Sequence, residues 1–328
     1  MSSTAHVTIH TSQFPDNVRR DLLASLRTRI VNHKFHYDSV KQTNQWLGLH
    51  QAHSPARNDA DCVATYDRGF SEAVASIKSE AIHVLGLGCG GGQKDTRLLK
   101  LLRAAVKEVS YTPCDVAVAM TLVARQAALV AVPAEKCFPL VCDLVTADDL
   151  PEVLASLGLP RYPRLITFFG MIPNFEPGEI LPKLVALIRP EDSLLFSANL
   201  APGTDYAAGV QAILPQYDNA LTRDWLMTFL LDLGVERSEG DLRFSVEEAP
   251  TGIGLKKIVA RFHFTRARQI RVASEQFAFS VGEMLQLFFS YRYTSAHVRQ
   301  ALADGGLRVE AEWLPQSGEE GVYLVKRR

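Results

Sequence analysis

The stretch Ile82-His-Val-Leu-Gly-Leu-Gly-Cys-Gly-Gly-Gly-Gln-Lys94 constrains this chain more than any other. It opens as a short apolar run, Ile82 to Leu85, and passes through glycines at 86, 88, 90, 91 and 92. It then continues into a helical pattern in which Leu98, Leu99, Leu101 and Leu102 share an apolar face. The order is strand, tight turn, helix. Glycines let the backbone turn sharply and approach a ligand with no Cβ in the way. The first N–H groups of the following helix have no partner within it and point back at the ligand. Gly86, Gly88 and Gly91 also satisfy G-x-G-x-x-G, a weak signal by itself.

From Ile82 the pattern alternates strand and helix. Glu108 to Asp115 and Phe138 to Asp143 read as strands ending in a carboxylate. Arg164 to Gly170 and Ser193 to Asn199 read as two more, with a helix over Ile180 to Ile188 between them. Such repetition predicts a parallel sheet covered on both faces, with its ligand beyond the carboxyl ends of the strands. Asp115, Asp143, Gly170 and Asn174 fall there. Residues 1 to about 80 read as helical, with Asp16 as a cap for a helix through Leu26 and loop-like sequence from Trp46 to Pro55. After residue 203 come helices, then alternating antiparallel strands. Leu307 to Leu314 and Gly321 to Lys326 close the chain as a hairpin.

Bulk properties narrow the class. There are 35 Lys and Arg against 36 Asp and Glu, a net charge of −1, which gives no electrostatic reason to expect nucleic acid or an acidic membrane. The apolar stretch Val116 to Ala134 is broken by Arg125 and Gln126 and reads as a buried helix, not a membrane span. No signal peptide is read at the N-terminus. The five cysteines lack C-x-x-C spacing and fit free thiols in a reducing cytoplasm. No histidine pair has metal-site spacing, so no metal is expected.

Two cofactors compete for the glycine loop. A dinucleotide would place pyrophosphate on the helix N-terminus and a ribose on Asp115. S-adenosylmethionine would place its methionine part by the loop, its ribose on Asp115 and its adenine beside Asp143-Leu144. The second is favoured. The C-terminal hairpin resembles the added antiparallel strand of class I methyltransferases, Asp143 closes the next strand, and no hydride-transfer acid or base stands out.

The motifs, taken in order, resemble the histidine-specific Nα-methyltransferase family of ergothioneine biosynthesis, which includes the dimethylallyltryptophan N-methyltransferases. Gly88-Cys-Gly90-Gly-Gly-Gln-Lys94 resembles its loop ending in lysine. Tyr111-Thr-Pro-Cys-Asp115 and Cys142-Asp143-Leu144 resemble its next two motifs. Phe168-Phe-Gly170-Met-Ile-Pro-Asn174, one residue shorter, resembles its glycine-to-asparagine motif. Gln216-Tyr217-Asp218 and Phe35-His-Tyr37-Asp38 resemble its insertion and early motifs. The resemblance implies an α/β fold: a class I, Rossmann-like sheet of seven strands with an inserted α+β lobe and a helical N-terminal cap. The expected boundaries are 1–80 for the cap, 81–202 for the cofactor domain, 203–289 for the inserted lobe and 290–328 for completion of the sheet.

The resemblance also implies roles. Gly88, Gly90, Lys94, Asp115, Asp143, Leu144 and Gly170 would bind S-adenosylmethionine. Asn174 and Tyr217 would hold the amino and carboxylate groups of an amino acid, and Tyr37, Phe288 and Ser290 would line the substrate. Histidine enzymes of the family carry a glutamate two residues before the serine matched by Ser290, and here that position is Phe288. An imidazole N–H left without an acceptor would lose roughly 1–3 kcal/mol. The expectation is N-methylation of a small-molecule amine, an amino acid other than histidine, with aromatic ones favoured. An O- or C-methyltransferase of a small metabolite and a non-catalytic cofactor-binding protein are the alternatives, with a nicotinamide oxidoreductase behind them.

Overall fold

A computed structural model describes residues 4–106, 108–159, 161–249 and 254–328; of the chain's N-terminal sequence, the first three residues lie outside it. In chain order the strands are β1 (Thr8–Ile9), β2 (Ala81–Leu87), β3 (Glu108–Asp115), β4 (Leu140–Val141), β5 (Arg164–Phe169), β6 (Ser193–Asn199), β7 (Gly240–Glu248), β8 (Lys256–Phe264), β9 (Arg268–Val272), β10 (Glu275–Phe279), β11 (Met284–Arg292), β12 (Leu307–Trp313) and β13 (Glu320–Arg327). Two units share the chain. One holds the residues up to Gln13, Pro55–Leu200 and Tyr293–Arg328; the other holds Phe14–Ser54 and Ala201–Arg292.

The first unit is built on one sheet of order β1-β4-β3-β2-β5-β6-β13-β12. Strands β1 to β6 pair in parallel, and β13 runs antiparallel to both β6 and β12. The order steps outward from β2 in both directions, so the glycine loop after β2 lies at the switch point of the sheet, where such folds bind ligands. The sheet has eight strands where seven were expected. The additional one is β1, two residues paired to the edge strand β4, too short to carry an alternation in sequence. Strand β4 itself covers only Leu140–Val141 of the expected Phe138 to Asp143.

Parallel strands covered on both faces are near-continuous apolar runs, and Ile82, Val84, Leu85 and Leu87 of β2 are buried along with His83, whose ring bonds to Ser110 Oγ. The helix Gln93–Ala105 buries Leu98, Leu99 and Leu102 in the same core as Tyr66 and Phe70 of the helix Ala60–Ala75. Each leucine so placed contributes roughly 1.5–3 kcal/mol, enough to fix the helix on the sheet. Leu101, expected on that face, is exposed. The Asp59 side chain caps the helix Ala60–Ala75 by accepting from the Cys62 N–H at 2.7 Å.

The second unit contains an antiparallel sheet of order β11-β8-β7 and a separate hairpin of β9 and β10. Its helices are Pro15–Thr28, Val40–His53, Tyr206–Tyr217 and Ala220–Asp232. Three of them share a core with the strands that includes Leu26, Phe35, Trp225, Phe262, Leu287 and Phe288, while Val210 and Ile213 of the helix Tyr206–Tyr217 pack with Ala201 and Ile258 in a second cluster. The expected 1–80 segment is thus divided between the two units, and residues 14–54 belong with the insertion. Two local expectations change here. The first helix starts at Pro15 with Phe14 at its cap, so Asp16 sits in the first turn and does not cap it. The sequence from Trp46 to His53 is helical, not loop, because Ser39 and Gln42 form a capping box that starts a helix at Val40.

Candidate functional site

In the first unit the glycine loop is fixed by contacts at two of its glycines. Gly88 has φ +62°, which favours glycine, and a Cβ there would lie 2.5–2.8 Å from the flexible Met171 side chain, which would have to move aside. At Gly86 the space a Cβ would need is occupied by the Asp95 carboxylate. Asp95 is buried and accepts from Tyr111 Oη at 2.6 Å and Thr167 Oγ1 at 2.8 Å, tying the helix that follows the loop to β3 and β5. Burial pushes its carboxyl above the ordinary range. Gly86 therefore admits a protein carboxylate, not a ligand.

Asp115 ends β3 beside the loop. Its Oδ2 accepts from the Gly90 N–H at 2.9 Å and its Oδ1 from the Ala117 N–H at 3.2 Å. Burial outweighs these bonds and lifts its pKa to about 6. The Cys142 N–H donates to the Asp115 carbonyl at 2.9 Å and so brings Asp143 alongside. Asp143 Oδ1 accepts from the Val145 N–H at 3.0 Å, and the Asp143 N–H donates to Ser12 Oγ at 3.0 Å. Ser12 bonds in turn to His10 Nδ1 at 2.8 Å, whose Nε2 meets Asp149 Oδ1 at 2.9 Å. Leu144 and Leu87 line an apolar groove of about 310 Å³ with Leu150 and Ile180. Gly170 (φ +68°) follows β5 and donates its N–H to the Ser197 carbonyl at 3.2 Å. Asn174 ends the turn Ile172–Asn174, half-buried, with its side chain making no hydrogen bond among the described residues.

Lys94 lies in the first turn of the helix after the loop. Its ammonium donates to Tyr66 Oη at 2.7 Å, pairs with Glu320 at 3.4 Å and lies 4.3 Å from the Tyr66 ring centroid. Tyr66 donates to Glu320, and both side chains are buried. Burial together with the Glu320 carboxylate holds the Tyr66 phenol well above its ordinary pKa.

In the second unit Tyr217 ends its helix with its hydroxyl 2.9 Å from Ser290 Oγ and accepting from Arg292 Nη2 at 2.7 Å. The expected substrate residues Tyr217 and Ser290 are therefore in direct contact. The Phe288 ring lies 6.0 Å from that of Tyr217 and 5.8 Å from that of Trp225. Tyr37 reaches the same cluster through Trp225, at 5.6 Å. A register shift between Gln286 and Phe288 interrupts β11, and both Leu287 and Phe288 are buried. Reading the sequence missed Tyr66, Glu320, His10, Ser12, Arg292 and Trp225. Each meets its partner across many residues of chain, and no spacing rule marks such pairs.

The donors and acceptors of the first unit suit S-adenosylmethionine. A carboxylate has about four acceptor positions, and the two protein bonds on Asp115 leave room for a ribose diol. The ammonium of Lys94 carries three donors, suited to the carboxylate of the methionine part. Leu144 offers apolar surface for a flat base. Among the described residues, no cluster of His, Cys, Asp and Glu could hold a metal ion, and no helix is long and apolar enough to cross a membrane.

Among curated protein sequences no match is found. Solved structures similar to this chain include the mitomycin 7-O-methyltransferase MmcR, at 15% identity over 97% of this chain and 70% of that one, with a TM-score of 0.43. Another is magnesium protoporphyrin IX methyltransferase from Synechocystis PCC 6803 with bound SAH, at 12% identity over 88% and 95%, TM-score 0.45. A third is the CcbJ methyltransferase from Streptomyces caelestis, at 12% identity over 80% and 96%, TM-score 0.41. The family model for histidine-specific, SAM-dependent methyltransferases matches residues 18–327, a span that takes in both units and every motif from Tyr37 to Ser290. The chain therefore belongs to that family and is an S-adenosylmethionine-dependent methyltransferase.

Proposed function

We propose that this enzyme N-methylates the α-amine of an amino acid other than histidine, with an aromatic side chain favoured. The observation that carries the reading is Phe288. It stands where the resemblance calls for a glutamate, and it is buried in ring contact with Tyr217 and Trp225. A phenyl ring supplies no charge partner for an imidazole and offers an aromatic side chain apolar surface. Free cysteines support a cytoplasmic setting.

The bound cofactor supplies a methyl group on a sulfonium, open to displacement by a neutral amine. Asp115 and Lys94 would hold its ribose and carboxylate, with Asp143 and Leu144 at the adenine and Gly88, Gly90 and Gly170 giving backbone clearance. Asn174 and Tyr217 keep the roles the resemblance gives them, holding the amino and carboxylate groups. Both can orient an amine through an oxygen lone pair. Placement, more than a strong base, supplies the rate, and water takes the ammonium proton. Arg292 donates to Tyr217 and so holds the phenol in position.

Kinetics of histidine, tryptophan, tyrosine and phenylalanine with S-adenosylmethionine test the reading. An aromatic amino acid should exceed histidine in kcat/KM, and Asn174→Ala should lower kcat/KM without changing the affinity for S-adenosylhomocysteine. Efficient methylation of histidine would overturn the substrate assignment.

A further inference from the structure

We propose that His33 is a specificity-determining residue that reads a hydrogen-bonding group, a ring N–H or a hydroxyl, on the side chain of the acceptor substrate. This rests on the aromatic amino acid reading above and narrows it.

His33 opens the turn His33–His36. Its ring lies 4.6 Å from that of Phe289, edge-on, and 5.0 Å from that of Phe288. Phe288 in turn packs against Tyr217, so one ring separates His33 from the phenol. Neither ring nitrogen of His33 is in contact with solvent, and neither has a hydrogen-bond partner among the described residues.

A neutral imidazole carries one donor and one acceptor, and a buried polar atom without a partner is a standing cost to the fold. A phenyl ring at this position would remove that cost. The other polar atoms of the cluster show what satisfaction looks like here. His36 Nε2 donates to the Leu287 carbonyl at 2.6 Å, and Trp225 Nε1 donates to the His36 carbonyl at 2.8 Å. Tyr217 bonds to Arg292 and Ser290. His36 keeps one unpartnered nitrogen, Nδ1, whereas His33 keeps both. Burial, assisted by His36, pushes the His33 pKa down to about 3. The ring is therefore neutral at physiological pH and offers both a donor and an acceptor. A benzyl side chain would meet it with nothing, whereas an indole N–H or a phenol would meet it with a bond.

The test compares wild type with His33→Phe and His33→Asn, each saturated with S-adenosylmethionine. For wild type, kcat/KM for tryptophan or tyrosine should exceed that for phenylalanine by about tenfold. His33→Phe should lose this preference with S-adenosylhomocysteine affinity unchanged, and His33→Asn, which keeps a donor and an acceptor, should recover part of it. An unchanged preference in His33→Phe overturns the proposal, as does a wild type that does not distinguish the three. A second readout is independent of turnover. In protein labelled with ¹⁵N-histidine and loaded with S-adenosylhomocysteine, indole or phenol should shift the His33 ring nitrogens and benzene should not. An equal response to all three, or none, overturns the role of His33. An enzyme that methylates no amino acid overturns the proposed reaction instead, and the nitrogen spectra still decide for or against His33.

Discussion

Lowering the pH from 7.5 to 5 should weaken cofactor binding through Asp115 and, through the same proton, stabilise the free enzyme. Burial lifts the Asp115 pKa to about 6 from an ordinary value of 3.8. In the proposed placement, a ribose diol donates to the ionised carboxylate. At pH 5 about one free enzyme molecule in eleven still carries that charge, so the dissociation constant for S-adenosylhomocysteine should rise about elevenfold, or about 1.4 kcal/mol. The sign for stability is the reverse. A carboxyl whose folded pKa is raised binds its proton more tightly when folded. Its contribution is lost as pH rises through 6 and regained as pH falls, by about 1.4 kcal/mol at pH 5. Calorimetric titration from pH 7.5 to 5 reads the first effect. Urea unfolding of the free enzyme against Asp115→Asn reads the second, since the difference between the two proteins cancels the other titrating groups. Asp115→Asn should bind with no such slope and, having lost charge-assisted bonds, about 1.5–3 kcal/mol more weakly at pH 7.5. A wild-type affinity that stays flat between pH 7.5 and 5, or the same slope in Asp115→Asn, would refute the placement of the ribose on Asp115.

Other perturbations reach other parts of the first unit. Gly88→Ala forces a left-handed φ on a residue with a Cβ, costing about 1–2 kcal/mol, and drives that Cβ onto Met171. Thermal unfolding should show the loss, and adding Met171→Ala should recover only the steric share. Glu320→Gln removes the carboxylate that Lys94 and Tyr66 face. Breaking a largely buried pair costs about 3 kcal/mol in the free enzyme, while S-adenosylhomocysteine should bind more tightly because its carboxylate no longer competes for Lys94. Weaker binding in a calorimetric titration would count against that role for Lys94. His83 is buried, with Nδ1 2.8 Å from Ser110 Oγ and its pKa lowered to about 3, first by burial and then by Arg164. A lowered histidine pKa gives stability that is present above about 6.5 and lost as pH falls, about 2 kcal/mol by pH 5. Urea unfolding of His83→Leu should show that share of the acid sensitivity removed.

The sheet was legible because its physics is local. A strand covered on both faces is a mostly apolar run, and Ile82 to Leu85, Arg164 to Phe169 and Ser193 to Asn199 announce themselves so. The loop at the end of such a strand must turn within a few residues, and a run of glycines there marks a turn that brings backbone close to its neighbours. What escaped depends on contacts distant in the chain. Strand β1 is two residues long and exists through its pairing to Leu140 and Val141. Glu320 meets Lys94 across more than two hundred residues, and no periodicity can mark that meeting. The glycines carry more than one role. Gly86 is bare because the Asp95 carboxylate needs its space, a protein contact that sequence cannot separate from a ligand contact.

The two units also differ in how freely their site residues can change. Asp115 is bonded to the glycine loop through Gly90 and to the start of the next helix through Ala117, so replacing it disturbs the turn as well as any ligand. Phe288 is held differently. In regular strand, neighbouring residues point to opposite faces, and β11 is buried on both, with Leu285, Gln286, Leu287 and Phe288 all buried; Leu287 falls at the register shift, and Phe288 pairs with Ala260 just after it. A bulge re-aims the side chains beside it without rebuilding the sheet. The side chain at 288 packs against the rings of His33, Tyr217 and Trp225. A glutamate there would need a hydrogen-bonding partner in that company, and a phenylalanine needs only apolar neighbours. On the proposed reading, side-chain specificity shifts through a change beside the bulge while the cofactor loop is kept, provided that the neighbours of the changed residue adjust with it. His33, with two unpartnered nitrogens against Phe288, is the neighbour whose chemistry fits such an adjustment.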